Sequence, residues 1–141
     1  MESSTRLISK VKEFEGLRLS AYRCDAGVWT IGYGHTKGVV RGQRISRADA
    51  ERYLREDLRE CEDYVNGISE IDTQGKFDAV VDFVFNLGAR SFSHSTLCRY
   101  IKARRPSADI RKEFRRWIYA GGKVSAGLRR RREWEANRWC G

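Results

Sequence analysis

Residues 15–36 read EGLRLSAYRCDAGVWTIGYGHT, and two changes of rhythm around this stretch set the architecture. Ahead of it, Leu7, Ile8, Val11 and Phe14 recur at spacings of three and four, which predicts an amphipathic helix from Thr5 to Glu15. Ser3, Ser4 and Thr5 offer caps at its start, and Gly16 supplies the stop. Beyond Gly16 the period shortens to two, with Leu17, Leu19 and Ala21 alternating with polar residues. The run Cys24-Asp25-Ala26-Gly27 then turns the chain into Val28-Trp29-Thr30-Ile31, the second strand of a small β-hairpin, with another turn near Gly34.

Downstream the helical period returns. Ser46 and Asp49 form a capping-box pattern, followed by the apolar stripe Ala50, Tyr53, Leu54, Leu58, Cys61 and Val65. The most hydrophobic segment runs from about Thr73 to Leu87 with Phe77, Val80, Val81, Val84 and Phe85; it is apolar on nearly every side and ends at Gly88, so it reads as the core helix. Shorter helices are expected near 95–103, 107–119 and 126–139, the last two separated by Gly121-Gly122. Phe77, Phe85, Trp117 and Trp139 read as core packing. The fold class is therefore α+β: one domain over 1–141, with a hairpin lobe at about 17–45 and a helical lobe made of 46–141 plus the first helix.

A chain of 141 residues buries roughly two-thirds of its unfolded surface on folding, enough for a core without metal or disulfides. The net charge is +9 and uneven: residues 99–141 hold 14 Lys/Arg against 4 Asp/Glu, while the rest of the chain is nearly balanced. Such asymmetry points to an anionic partner. The run Arg129-Arg130-Arg131-Arg132 reads as a solvated helix face that could meet an anionic envelope. A nucleic-acid module would share the charge, but no reader motif is present and the Trp residues lie at core spacing. Cys24, Cys61, Cys98 and Cys140 are scattered, and with only His35 and His94 beside them no zinc-type spacing appears; the expectation is reduced thiols, no metal and no cofactor. Residues 1–6 lack the apolar centre of a signal peptide and no run approaches membrane-spanning length, so the chain reads as one kept in the cytoplasm without stable membrane insertion.

Glu15 is the first candidate for chemistry. It falls at the C-terminal end of a helix, where the negative pole of the dipole disfavours a second negative charge and favours a protonated acid. An ordinary solvated glutamate can sit there too, so position alone does not establish catalysis.

The stretch Glu15–Cys24 with Gly27–Thr36 resembles the active-site segment of the bacteriophage lysozymes. The likeness continues through Phe77-Asp78-Ala79-Val80-Val81, Phe85-Asn86-Leu87-Gly88, Ser95-Thr96-Leu97, Trp117, Ala120-Gly121-Gly122-Lys123 and Gly127-Leu128, spanning about residues 7–139 in order. That family spaces a Glu, eight residues, an Asp or sometimes a Cys, five residues and a Thr, a pattern that falls here on Glu15, Cys24 and Thr30. The resemblance implies the lysozyme fold and hydrolysis of the β-1,4 bond between N-acetylmuramic acid and N-acetylglucosamine in peptidoglycan. Glu15 is then the proton donor, Cys24 the second catalytic group and Thr30 a residue that places the attacking water. It also implies a monomer that waits in the host cytoplasm and reaches the wall through a holin.

Cys24 departs from the commoner Asp, and Asp25 follows it; neighbours on a strand point to opposite faces, although a turn relaxes that rule. A thiol has an ordinary pKa near 8.5, which leaves little thiolate at neutral pH unless nearby Arg18 or Arg23 lowers it. The thiolate could act as base for water, inverting the anomeric centre, or as nucleophile, retaining it. The missing carboxylate also leaves open an inactive wall-binding protein on the same fold. Tyr22, Trp29, His35 and Asn86 are the candidates for substrate binding: Tyr22 and Trp29 to stack on sugar or simply to pack, Asn86 to cap its helix or touch sugar, and His35 to brace the cleft through hydrogen bonds or to shuttle a proton.

Overall fold

The computed structural model describes residues 1–141. Helix α1 spans Thr5–Glu15, with the Ser4 hydroxyl accepting from Leu7 N at 3.1 Å and Gly16 turning the chain away at φ 70°. Leu7 and Val11 point inward and are fully buried. Strands β1 (Arg18–Arg23) and β2 (Trp29–Gly32) pair antiparallel, with Tyr22 opposite Thr30, Arg23 opposite Trp29, and an irregularity between Arg18 and Tyr22. The turn closes through Gly27 N to Cys24 O at 2.8 Å and Cys24 N to Val28 O at 2.9 Å. The outer edge of β1 also bonds to the segment before the next helix, Ala21 N to Gln43 O and Ile45 N to Leu19 O, both 2.9 Å. Sequence periodicity gave no sign of this third pairing, because the segment is too short and polar to alternate.

Helix α2 (Arg47–Asn66) begins at the Ser46/Asp49 capping box and buries Ala50, Leu54, Leu58 and Val65. Helix α3 (Gln74–Leu87) is the centre of the molecule, capped by Thr73 and ended by Gly88. Helices α4 (Ala89–Ser93), α5 (Thr96–Lys102) and α6 (Ser107–Arg115) follow, and α7 (Ala126–Cys140) lies along α3. At Gly75 a Cβ would come within 2.5 Å of Arg138 O, so glycine is what lets α3 and α7 approach. Phe83 of α3 meets Phe92, Phe114 and Trp117 edge-on at centroid distances of 5.5–6.0 Å.

Three expectations need correction. Helix α6 stops at Arg115 rather than 119. Gly121 and Gly122, read as a separator, are instead the turn of a second hairpin, β3 (Tyr119–Ala120) with β4 (Lys123–Val124), at φ 57° and 80°. Most consequentially, the four-arginine run is not a solvated face. Arg129 and Arg130 are exposed, but Arg131 and Arg132 are 5% and 0% exposed, because α7 turns them toward α3.

Candidate active site

Glu15 is the last residue of α1, and two distant segments hold its half-buried carboxylate. Arg131 Nη1 donates to Oε2 at 2.5 Å. On the other side lies the turn after β2, where Gly34 sits at φ 76° and a Cβ would approach Glu15 Cδ to 2.9 Å. Gly34 is thus required both for its backbone angle and for the room it leaves. Glu15 is a paired group, not the isolated helix-end carboxyl that position alone suggested.

Behind Arg131 stands a buried set of charges. Its Nε and Nη2 grip both oxygens of Asp82 at 3.0–3.2 Å, and Asp82 is fully buried. Burial pushes the Asp82 carboxyl up, but Arg131 outweighs it and holds the group below the usual carboxylate range. Arg132 lies over the Phe83 ring at 5.0 Å and donates through Nη2 to Asn86 Oδ1 and Glu135 Oε2, both at 2.8 Å. Its Nε is 2.7 Å from Glu135 Oε1 but misaligned, so neither atom gains a hydrogen bond from the other. Burial first, then the Asp82 charge and the hydrogen bond to it, push Glu135 well above the ordinary range against the pull of Arg132. Asp82 and Glu135 are thus a coupled buried pair beside Arg131 and Arg132, with Asp82 pushed down and Glu135 pushed up.

Cys24 is the first residue of the hairpin turn and is half-buried; all four cysteines are unbridged. Its thiol is held below the ordinary value by backbone bonds from Val28 and then Ala26, with a smaller contribution from the Thr30 hydroxyl. The two arginines that could have done so, Arg18 and Arg23, are engaged elsewhere: Arg18 stacks over Tyr22 at 4.7 Å, and Arg23 over Trp29 at 5.9 Å while bonding Gly27 O. Thr30 is buried and gives its one hydroxyl proton to Val28 O at 3.0 Å, so support for a Cys24 thiolate is an alternative to that bond. Asp25 is exposed in the turn.

Half-buried Tyr22 links the two groups electrostatically. Its phenol is pushed up by burial, then by the Glu15 charge, eased by Arg18 and raised again by Cys24. Trp29 is half-buried opposite Arg23. His35 is buried, with Nδ1 2.8 Å from Asp57 Oδ2 and its ring stacked on Tyr53 at 4.5 Å. Burial pushes Asp57 up while His35 eases it down. Asn86 braces Arg132 rather than capping a helix. No three of the His, Cys, Asp and Glu side chains gather as a metal site.

Sequence reasoning missed Arg131, Asp82, Arg132 and Glu135. A signal existed: Asp78 and Asp82 sit one turn apart on the most apolar helix, and Leu128, Arg132, Ala136 and Trp139 form one helical stripe. Charges inside such stripes demand partners.

A family model described as phage lysozyme matches residues 12–135. An endolysin of Acyrthosiphon pisum secondary endosymbiont phage 1 is 38% identical, over 96% of this chain and 95% of that protein. An endolysin of Bacillus phage B103 is 41% identical over 96% of this chain, which spans only 52% of that relative's length. Among solved structures, the muramidase domain of SpmX from Asticaccaulis excentricus superposes with a TM-score of 0.89 at 34% identity, covering 99% of this chain and 98% of that one.

Proposed function

The chain belongs to the phage lysozyme family, and from that premise we propose that it hydrolyses the β-1,4 bond between N-acetylmuramic acid and N-acetylglucosamine in peptidoglycan, with Glu15, Cys24 and Thr30 as its machinery. The observation that carries the reading is the Glu15 carboxylate, held by Arg131 against the bare backbone of Gly34 on the lobe that bears Cys24 and Thr30. With Oε2 engaged by Arg131, Oε1, beside the glycine, is the proton donor in this reading. When that proton passes to the glycosidic oxygen, the carboxylate left behind is met by a guanidinium already in place. Such preorganised charge acts on the transition state without a reorganisation cost.

Cys24 serves the other face of the sugar. Backbone N–H groups favour its thiolate, and the Thr30 hydroxyl beside it is a second anchor for a water molecule. In this arrangement the thiolate takes a proton from the water, and the anomeric centre inverts. Tyr22 and Trp29 supply rings on the same hairpin for the sugar, His35 braces the turn of Gly34 through Asp57, and no metal or cofactor takes part. The working form is a monomer. It accumulates in the host cytoplasm and meets the wall after a holin opens the membrane, in keeping with the lack of any helix long and apolar enough to cross one.

Replacing Glu15→Gln preserves shape and removes the transferable proton. Turnover of purified wall is expected to fall by about 10²–10⁴-fold, with the melting temperature near that of the parent. Turnover within threefold of the parent would overturn the assignment. The absence of a second carboxylate favours one competing reading, a wall-binding protein without catalysis; a parent that binds wall but releases no reducing ends would establish it.

A further inference from the structure

From Phe114 to Arg132 the chain carries seven Lys or Arg and no Asp or Glu. Four of the seven are committed to carboxylates of the same chain: Arg115 to Glu133 and Arg116 to Glu113, both at 2.9 Å, Arg131 to Glu15 and Asp82, and Arg132 to Glu135. Lys123, Arg129 and Arg130 remain, exposed and paired with no carboxylate. They flank an apolar feature. Tyr119 and Val124 are partners across the β3–β4 hairpin, so their side chains leave the same face, and they are 62% and 47% exposed. Strands of two residues are marginal in water by themselves, and no other element covers this face. Ser125 N to Ile118 O at 2.8 Å pins the base of the hairpin, and α7 starts at the next residue. Arg129 follows Ser125 by about one helical turn. Arg130 reaches back toward the helix start, with Nη2 3.9 Å from where a Gly127 Cβ would stand. The apolar hairpin face and the free cations therefore adjoin.

We propose that this patch docks on a bilayer surface rich in anionic phospholipid, as a reversible peripheral contact that holds the chain at the membrane. Tyrosine suits the headgroup level, where the ring meets acyl chain and the hydroxyl meets water. Val124 enters beside it, and Lys123 keeps its ammonium at the phosphates while its stem lies along apolar surface. A wall glycan satisfies the cations but offers no alkyl surface to Val124, and a nucleic-acid backbone shares that defect. Each cation near an anionic bilayer strengthens binding about fivefold, so the three together supply about 10²-fold. That is attachment without insertion, in a protein with no helix able to cross a membrane. None of these five side chains bonds to Glu15, Cys24 or Thr30, so docking goes beyond the proposed function and is separable from it.

Co-sedimentation with vesicles tests the patch, using phosphatidylglycerol mixed with phosphatidylethanolamine against phosphatidylcholine alone, at about 0.1 M salt. The parent is expected to bind the anionic vesicles at least about tenfold more tightly than the neutral ones. Arg129→Gln with Arg130→Gln should weaken that binding about 25-fold. Arg41→Gln with Arg44→Gln, which removes two exposed cations from the other lobe, should weaken it less than about threefold. Tyr119→Ser with Val124→Ser keeps every charge and should still cost about tenfold. Melting temperature and turnover of soluble wall fragments should match the parent in all three variants. Equal losses from the two arginine pairs would mean unspecific attraction of a basic protein, and an unchanged Tyr119/Val124 variant would mean that no lipid is entered; either overturns the proposal. So does a parent that ignores both vesicles, and its binding of a DNA duplex would then name nucleic acid as the partner. A parent without turnover sinks the proposed function, while the vesicles still decide the patch.

Discussion

Cys24 is held by its neighbours in sequence, whereas Glu15 is held by an arginine 116 positions away. The thiol sits in a turn closed by bonds among residues 24–30, all within one hairpin. The carboxylate depends on a buried chain of ion pairs running Glu15, Arg131, Asp82, which three helices must assemble. The hairpin position can therefore exchange one acid-base group for another with little consequence for the core. The helix position cannot, since changing what faces Glu15 disturbs charges that have no access to water. Activity and stability should separate when Cys24 is changed and move together when Arg131 is.

Arg131→Met attacks the second half of the comparison and should have the largest effect. It leaves Asp82 buried and unpaired, a loss of about 3–5 kcal/mol that lowers the melting temperature by roughly 10–15 °C. Activity on purified wall should fall with it. Adding Asp82→Leu sharpens the result, because a buried ion pair replaced by apolar groups regains stability. Calorimetry should show recovery in the double variant while turnover stays low; recovery of both would remove Arg131 from any role at Glu15.

Cys24 tests the first half. Cys24→Ser should lose about 10²-fold or more in turnover, with the melting temperature changed by less than about 2 °C. Cys24→Asp should stay active and Asp25→Asn should cost little. A thiol-directed reagent should inactivate the parent at a pH below that needed for an ordinary thiol, since the Cys24 thiol lies below its usual value. Burial pushes Cys61 up to about 12 and raises Cys98, so both should stay silent, and Cys24→Asp should resist inactivation. An active Cys24→Ser with a dead Asp25→Asn would transfer the role to the carboxylate one residue on.

The smallest effect concerns the coupled pair of Asp82 and Glu135. Glu135 is pushed up in the fold by burial, so its contribution to stability is full below about pH 4.3, its unfolded value, and falls as pH rises from there. Asp82 is the mirror case, with its contribution present above about pH 3.9 and lost as pH falls through its lower folded value. Glu135→Gln keeps a permanent donor and should melt a few degrees higher than the parent at neutral pH, the gap closing below about pH 4. A gap that is constant with pH would mean that Glu135 is ionised in the fold.

Helix boundaries were legible wherever caps were explicit. Ser4 and Gly16 bound α1, and Ser46 with Asp49 opens α2, because a cap is a contact among residues three or four apart. The Gly121-Gly122 hairpin carried an equally local signal, but strands of two residues are too short for alternation to show. The edge pairing of residues 43–45 with β1 joins segments more than twenty residues apart, and no local pattern encodes it.

The same division runs through the site. Sequence by itself determined the hairpin, the glycine at 34, the spacing of Glu15, Cys24 and Thr30, and the family to which that spacing belongs. Each rests on backbone preferences or on order along the chain. Only the tertiary structure decided which of four consecutive arginines became a structural ion, which acid it met, and which two were left to solvent. Adjacent residues on a helix lie about 100° apart, so one turn of α7 sends Arg131 and Arg132 into the core and Arg129 and Arg130 to water. Composition counts all four alike; the packing of α7 against α3 assigns them opposite fates.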